Sequence, residues 1–307
     1  MPASRNLFET TVPASELDPV YIFVRDDEYD RGHRRYLEDL WAEYEPYADR
    51  NFLDQFQRRG HFHAKAWEMR LTVVLKRLGL PVCARVGAAG PDIRVEGQPP
   101  LWIEAITPSS TEELRMIHDL AIHGAVPVPE TSILLKYTQA LRAKWNQRNE
   151  HLAAGIVSPL DSHVVAISGS DLPEPSVPGM YGEPPSVAHV LYGIGPFTWQ
   201  IEVGTGRIVD AGWSHRPKVR KVTGATVESD FFLSGKHAGI SAVLYSPHGI
   251  QNRPQVFGRE DGWDFEIFHN EFASVPLKPG LTSRGREWGV KDGELRILHD
   301  YRNWSPT

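Results

Sequence analysis

The run 101–107 (LWIEAIT) constrains the fold most, because an acidic residue, Glu104, lies inside an otherwise apolar pattern. Its length and the preceding turn residues GQPP are typical of a β-strand. Burying a carboxylate costs free energy unless a metal ion, another cation or hydrogen bonds compensate it. The run therefore predicts a buried strand whose acidic side chain has a chemical partner.

The composition is that of a folded globular chain. Of 307 residues, 41% are hydrophobic and 23% are charged, so we expect a buried core over most of the length. The formal net charge of −6 disfavours a protein that attracts polyanions with its whole surface, and any nucleic-acid contact requires a local basic patch. Cys83 is the single cysteine and lies in the apolar run PVCARV, which predicts a small buried core residue.

The sequence shows no targeting or membrane-spanning segment. The first residues, MPASRNLFETT, lack the basic start and apolar stretch of a secretory signal. No window approaches the roughly eighteen uninterrupted apolar residues that a spanning helix needs. These features predict a reducing, cytoplasmic setting without a membrane contact.

Changes in residue composition and in hydrophobic pattern divide the chain into three parts. The range 1–55 is an N-terminal helical or extended segment, and 56–170 carries alternating helix and strand patterns. After that the sequence is rich in proline, glycine and serine and then alternates short strands with turns, so 171–307 is a β-rich extension or second subdomain. The pattern predicts an α/β (α+β) fold.

In the N-terminal segment, the apolar run VYIFV at 20–24 predicts a short strand. The charged stretch after it carries Leu37, Leu40 and Trp41 at helical spacing, which predicts a surface helix.

The range 61–78 predicts a helix, because its apolar residues recur at steps of four, three and four. Gly79 ends it, as glycine commonly does just past the last turn. Glu68 lies beside the apolar face, so its carboxylate can reach over the edge of a sheet on which the helix packs. The residues of that face are Trp67, Leu71, Val74 and Leu78.

Three short strand patterns follow the helix, at 82–86 (VCARV), 92–97 (DIRVEG) and 101–107. The turn sequences GAAGP and GQPP between them predict an antiparallel meander. The range 108–130 is a proline-containing connection with some helical pattern, either a lid over a site or a surface excursion.

The next elements are predicted as strand, helix and strand. ILLKY at 133–137 reads as a strand, and Thr138 then caps a helix that Gly155 ends. HVVAIS at 163–168 has the composition of a central buried strand. The C-terminal part predicts mostly β-structure, from the runs AHVLYG, TWQIEVG, KVRKV, ISAVLYSP, WDFEIFHN, EWGVKDG and ELRIL.

Three acidic residues stand where this layout brings helix and strands together: Glu68, Asp92 and Glu104. Mg²⁺ prefers carboxylate oxygens and keeps several of its waters. Phosphodiester cleavage also needs a group that orients water or offsets the charge developing on the phosphate. The three residues are therefore candidate metal ligands.

The segments GHFHAKAWEMRLTVVLKRLGLPV, GPDIRV and LWIEAIT resemble the PD-(D/E)xK nuclease superfamily over the range 62–168. The resemblance implies a restriction-endonuclease-like core, with a central mixed sheet flanked by helices. It also implies hydrolysis of phosphodiester bonds in DNA or RNA with Mg²⁺ or Mn²⁺. In that reading Asp92 and Glu104 bind the metal, and Glu68 completes or supports the site.

One position departs from the superfamily pattern. The lysine expected two residues after the strand carboxylate is absent, because Ile106 stands there. Some members carry the lysine on the following helix, which makes Lys144 the first candidate and Lys136, at the end of ILLKY, the second. Both lysines could instead be solvated charges.

Each carboxylate also has a structural interpretation. Glu68 can be a helix-surface charge, Asp92 a turn residue after proline, and Glu104 the partner of a buried arginine. The alternative function is accordingly a catalytically inactive nuclease-fold module that binds nucleic acid or a protein partner.

The strongest basic cluster comprises Arg216, Lys218, Arg220 and Lys221. In a strand, the first three share a face that could follow a phosphate backbone. A solvated edge strand protected by its charges explains the pattern equally well. The resemblance leaves a homodimer open, although no apolar stripe in the sequence marks an interface.

Overall fold

The computed structural model describes residues 5–28, 31–84, 90–121, 128–173 and 184–302. The last positions of the predicted strand 82–86, and parts of the predicted connections after it and after Ser168, lie outside these ranges.

Helices dominate the first half of the described chain, and strands dominate the second. The helices are α1 (Pro19–Asp26), α2 (Gly32–Tyr44), α3 (Phe52–Gln57), α4 (Phe62–Arg77), α5 (Glu112–Ala121), α6 (Glu130–Ala153) and α7 (Ser186–Tyr192). The strands are β1 (Val82–Cys83), β2 (Ile93–Val95), β3 (Leu101–Ile106), β4 (Ser162–Ser168), β5 (Ile194–Ile201), β6 (Ile208–His215), β7 (Lys218–Arg220), β8 (Thr226–Glu228), β9 (Ala242–Ser246), β10 (Glu266–His269), β11 (Arg286–Lys291) and β12 (Glu294–Asp300).

Within the described ranges, eight strands form one mixed sheet in the order β1-β2-β3-β4-β9-β10-β11-β12. β1, β2 and β3 are antiparallel neighbours, as the meander pattern predicted, and β4 runs parallel to β3. The C-terminal strands β9 to β12 continue this sheet from the far side of β4. The predicted α/β (α+β) class, with a mixed sheet, flanking helices and a β-rich C-terminal part, is confirmed.

α4 and α6 cover opposite faces of this sheet. Trp67 of α4 shares a core with Ile103 of β3, whereas Leu141 of α6 shares a different core with Val165 of β4. Because side chains alternate along a strand, Glu104 points to the face opposite that of Ile103. That face is the one covered by α6, and Glu104 is 0% exposed there.

The helix 61–78 and the strands at 92–97, 101–107 and 163–168 are confirmed in α4, β2, β3 and β4. Gly79, with φ of +85°, follows the last turn of α4 in the left-handed region that glycine tolerates. β4 is buried along its whole length, as expected for a central strand.

The predicted strand at 20–24 is wrong, because these residues form α1. The Asp18 side chain accepts a hydrogen bond from the Val20 backbone N–H, and Pro19 occupies the first turn. Both are strong helix-start features. Tyr21 and Val24, three residues apart, then form its buried side. The predicted helix after it is confirmed as α2, with Leu37, Leu40 and Trp41 all buried.

The predicted strand at 133–137 is also wrong, because it forms the first turns of α6. Ile133, Leu134 and Tyr137 are buried at helical spacing. The Thr138 hydroxyl donates to the Leu134 carbonyl inside the helix, so this residue is not the predicted cap. A short apolar run fits both helix and strand, and the helical packing face decides between them.

Two smaller predictions are corrected as well. The run AHVLYG forms α7, which ends at Gly193 with φ of +62°, and not a strand. Cys83 is only half-buried near the sheet edge and is not part of the core. The remaining C-terminal runs contain β5, β7, β9, β10, β11 and β12.

Across the described ranges, no helix is both long enough and apolar enough to pass through a bilayer.

Candidate active site

Asp92 and Glu104 lie side by side at one end of the β2–β3 ladder. Ile93 pairs with Ile103, so Asp92, one residue before β2, falls opposite Glu104. The Asp92 Oδ2 atom accepts a hydrogen bond of 2.8 Å from the Ala105 backbone N–H. This contact fixes the carboxylate at the strand.

Lys144 reaches both carboxylates from α6. Its Nζ lies 2.9 Å from Glu104 Oε2 and 3.5 Å from Asp92 Oδ2. The Gln147 side-chain oxygen, one turn further along the helix, accepts a third contact from Nζ at 3.0 Å. The ammonium is thus held between the two acidic side chains, on the face of the sheet that α6 covers.

His151 completes the cluster from the same helix. Its Nδ1 lies 3.2 Å from Glu104 Oε1, the oxygen that Lys144 does not contact. The sequence analysis missed this residue. The available signal was its spacing of seven from Lys144, which places both side chains on one face of a helix.

Burial and charge together shift the ionisation of this cluster. Burial raises the pKa of Glu104 above its usual range, and the neighbouring Asp92 carboxylate raises it further, although Lys144 opposes both. Burial acts to lower the pKa of Lys144, but the two carboxylates outweigh it and raise that pKa. The lysine therefore stays charged, while the carboxyl of Glu104 is protonated more readily than that of an exposed glutamate.

Glu68 lies apart from this pair in its contacts. It is buried in α4, where Oε1 accepts a hydrogen bond of 2.8 Å from the Tyr44 hydroxyl and Oε2 binds Lys65 Nζ at 2.8 Å. Tyr44 belongs to α2, and Lys65 lies three residues before Glu68 in α4 itself. Because the contacts of Glu68 are to Tyr44 and Lys65, its predicted convergence with Asp92 and Glu104 stays a prediction.

The other predicted cations are also placed away from the pair. Lys136 lies eight residues before Lys144 in α6, which separates them by about 12 Å along the helix axis. Arg216 is bound to Glu130 Oε1 at 2.5 Å. Lys218 and Arg220 are exposed on β7, and Lys221 follows them in a turn.

The donor set fits a hydrated divalent ion only in part. Mg²⁺ is commonly held by one or two carboxylates and keeps several waters, so Asp92 and Glu104 suffice. Glu104 Oε1 is buried and receives no hydrogen bond among the described residues, although His151 Nδ1 lies 3.2 Å from it. In the same ranges, no three His, Cys, Asp or Glu side chains form a group that could hold a metal ion. A fully protein-ligated site is therefore not built there.

A separate cavity of about 520 Å³ opens beyond the carboxyl ends of β3 and β4. Arg59, His63 and Arg115 contribute basic groups to its lining, and Asp171 lies 3.9 Å from the His63 ring. Clefts at this end of parallel strands are common ligand sites in α/β folds. Sequence reasoning missed it because its walls come from five separate segments of the chain.

Compared with known proteins, the chain matches no family model, no curated protein and no solved structure.

Proposed function

We propose that the protein is a metal-dependent nuclease that hydrolyses phosphodiester bonds of DNA or RNA, and a divergent member of the PD-(D/E)xK superfamily. The observation that carries the proposal is the contact of Lys144 Nζ with both Asp92 and Glu104. The superfamily pattern needs two carboxylates and one lysine, and Ile106 stands where the strand lysine is expected. Lys144, on a helix, supplies the missing cation beside the two carboxylates. The order of α4, β1, β2, β3, α6 and β4 supports the same reading.

In this function Asp92 and Glu104 would hold Mg²⁺ or Mn²⁺, and the ion would polarise a phosphoryl oxygen and lower the pKa of a water. Asp92 is oriented by the Ala105 N–H and is the more exposed of the two carboxylates. Lys144 holds the attacking water and offsets the charge developing on the phosphate. Gln147 steadies the ammonium through its 3.0 Å contact.

A second candidate function follows from the same contacts. The Lys144 ammonium already compensates both carboxylates, and Glu104 is fully buried. An ion pair of this kind can be purely structural. The chain would then be an inactive nuclease-fold module that binds nucleic acid or a protein partner.

Cleavage assays separate the two. Single- and double-stranded DNA and RNA are incubated with Mg²⁺ or Mn²⁺ and either the wild-type protein or the Asp92→Asn variant, which preserves shape. The nuclease proposal expects metal-dependent cleavage that the variant loses. Absence of cleavage of every substrate, with no Mn²⁺ binding by calorimetry, would refute it and favour the inactive module.

A further inference from the structure

β5 and β6 form a hairpin arm that pairs with itself and not with the large sheet. Phe197 pairs with Trp213 in its ladder, and Trp199 pairs with Ala211. Because side chains alternate, Phe197, Trp199 and Trp213 lie on one face, which we call the aromatic face. The other face carries polar residues such as Thr198 and Gln200.

The aromatic face is open to solvent. Phe197 is 39% exposed, Trp199 59% and Trp213 38%. The Phe197 ring centroid lies 5.2 Å from each tryptophan ring, so the three form a continuous surface. Large aromatic groups gain free energy when buried, and a contiguous exposed patch marks an interaction site in soluble proteins.

A basic strand follows the arm directly. Lys218 and Arg220 flank the buried Val219 in β7, so both point to solvent, and Lys221 comes next. Arg216 is not part of this surface, because Glu130 binds it. Without Arg216, the range 194–221 holds four Lys and Arg against two Asp and Glu, in a chain of net charge −6. Exposed aromatic rings on the arm are therefore followed in the chain by a strand with exposed basic side chains.

We propose that this surface binds single-stranded nucleic acid, with bases stacked on the aromatic face and phosphates near Lys218, Arg220 and Lys221. Aromatic rings stack on unpaired bases of any sequence, and basic groups follow the backbone. Bases within a duplex are already stacked on each other, so the rings select single strands. A symmetric contact between two copies would instead bring like charges together.

The inference rests on the proposed nuclease function in so far as it names the form of the substrate. Binding is nevertheless measured apart from cleavage. The full-length Asp92→Asn protein is titrated in EDTA against labelled single-stranded oligo(dT) and oligo(U) and a labelled DNA duplex, and fluorescence anisotropy gives the dissociation constants.

Trp199→Ala removes an exposed ring and is expected to weaken single-strand binding about tenfold, whereas Trp199→Phe retains most of it. Lys218→Gln with Arg220→Gln reduces the slope of log affinity against log salt by about two. Phe272→Ala and Lys278→Gln are matched controls, since both residues are exposed and lie outside the range 194–221.

Single-strand affinity that is unchanged in Trp199→Ala, or duplex binding as tight as single-strand binding, would overturn the proposal. A dimer that Trp199→Ala dissociates in light-scattering measurements, without nucleic-acid binding, would assign the surface to a second copy instead. If cleavage fails while Trp199-dependent binding holds, the nuclease function alone is refuted. If the protein cleaves its substrate but Trp199→Ala does not change binding, only the proposal for the arm is refuted.

Discussion

Lys144 Nζ lies 2.9 Å from Glu104 Oε2, although forty positions separate the two residues in the chain. The pair joins a helix to the centre of a buried strand, and Glu104 is fully buried. The lysine amine is close enough to donate a charge-assisted hydrogen bond, the strong kind in proteins. The contact is therefore both a candidate catalytic element and a structural tie between α6 and the sheet.

Lys144→Met should leave Glu104 buried without its main cation and lower the free energy of unfolding by about 3 kcal/mol. Adding Glu104→Gln to that variant removes the uncompensated charge and should restore most of the loss. Urea unfolding of the wild type, the two single variants and the double variant gives the coupling energy. Losses that simply add in the double variant would show that the two groups do not interact.

Lys144→Ala should lower the rate of metal-dependent cleavage about 100-fold, the usual cost of losing a group that stabilises developing charge. Lys136→Ala is the matched control, because it removes the same charge from the same helix two turns away. Circular dichroism checks that both variants fold. Equal cleavage rates for the two variants would show that Lys144 has no catalytic role. A loss of cleavage in Lys136→Ala alone would assign that role to Lys136.

The periodic pattern of α4 and the buried run of β4 predicted their elements correctly, whereas the apolar runs at 20–24 and 133–137 did not. The apolar steps of α4 and the buried run of β4 are local signals that tertiary packing reinforces. The five-residue runs at 20–24 and 133–137 fit helix and strand equally well. The run at 20–24 is helical because Asp18 and Pro19 start a helix there. The run at 133–137 is helical because its apolar residues pack into the core beneath α6. Pairing with distant segments decides such cases.

The site was predictable where local geometry determined it. The β2–β3 turn places Asp92 opposite Glu104, and helix spacing directs Lys144 towards the sheet. The position of Glu68 depends instead on Tyr44, which α2 brings from 24 residues away. No local periodicity encodes that contact.

Asp264→Ala should lower the free energy of unfolding by about 3–5 kcal/mol, because it leaves Arg70 buried and unpaired. The Arg70 Nη2 atom lies 2.8 and 2.9 Å from the two Asp264 oxygens, and Arg70 is 1% exposed. Arg70→Met combined with Asp264→Leu replaces the pair by apolar groups and should recover most of the stability. Urea unfolding measures both changes, and a double variant as unstable as Asp264→Ala would contradict this account.

His163 should make the protein sensitive to mild acid. It is 1% exposed in β4, and burial lowers its pKa to about 3. The unfolded chain takes up a proton near pH 6.5, whereas the folded chain does not. Stability is therefore complete above that pH and is lost as the pH falls towards the folded value. The residue's contribution at pH 5 is about 2 kcal/mol lower than at pH 8.

His163→Leu should remove that part of the pH dependence. It should also cost little at pH 8, since neither ring nitrogen has a hydrogen-bond partner among the described residues. Urea unfolding at pH 5 and pH 8 gives the difference for the wild type and the variant. His299→Gln, at an exposed position of β12, is the control and should leave the difference unchanged. An identical pH difference in His163→Leu and wild type would mean that His163 is not the residue that couples acid to unfolding.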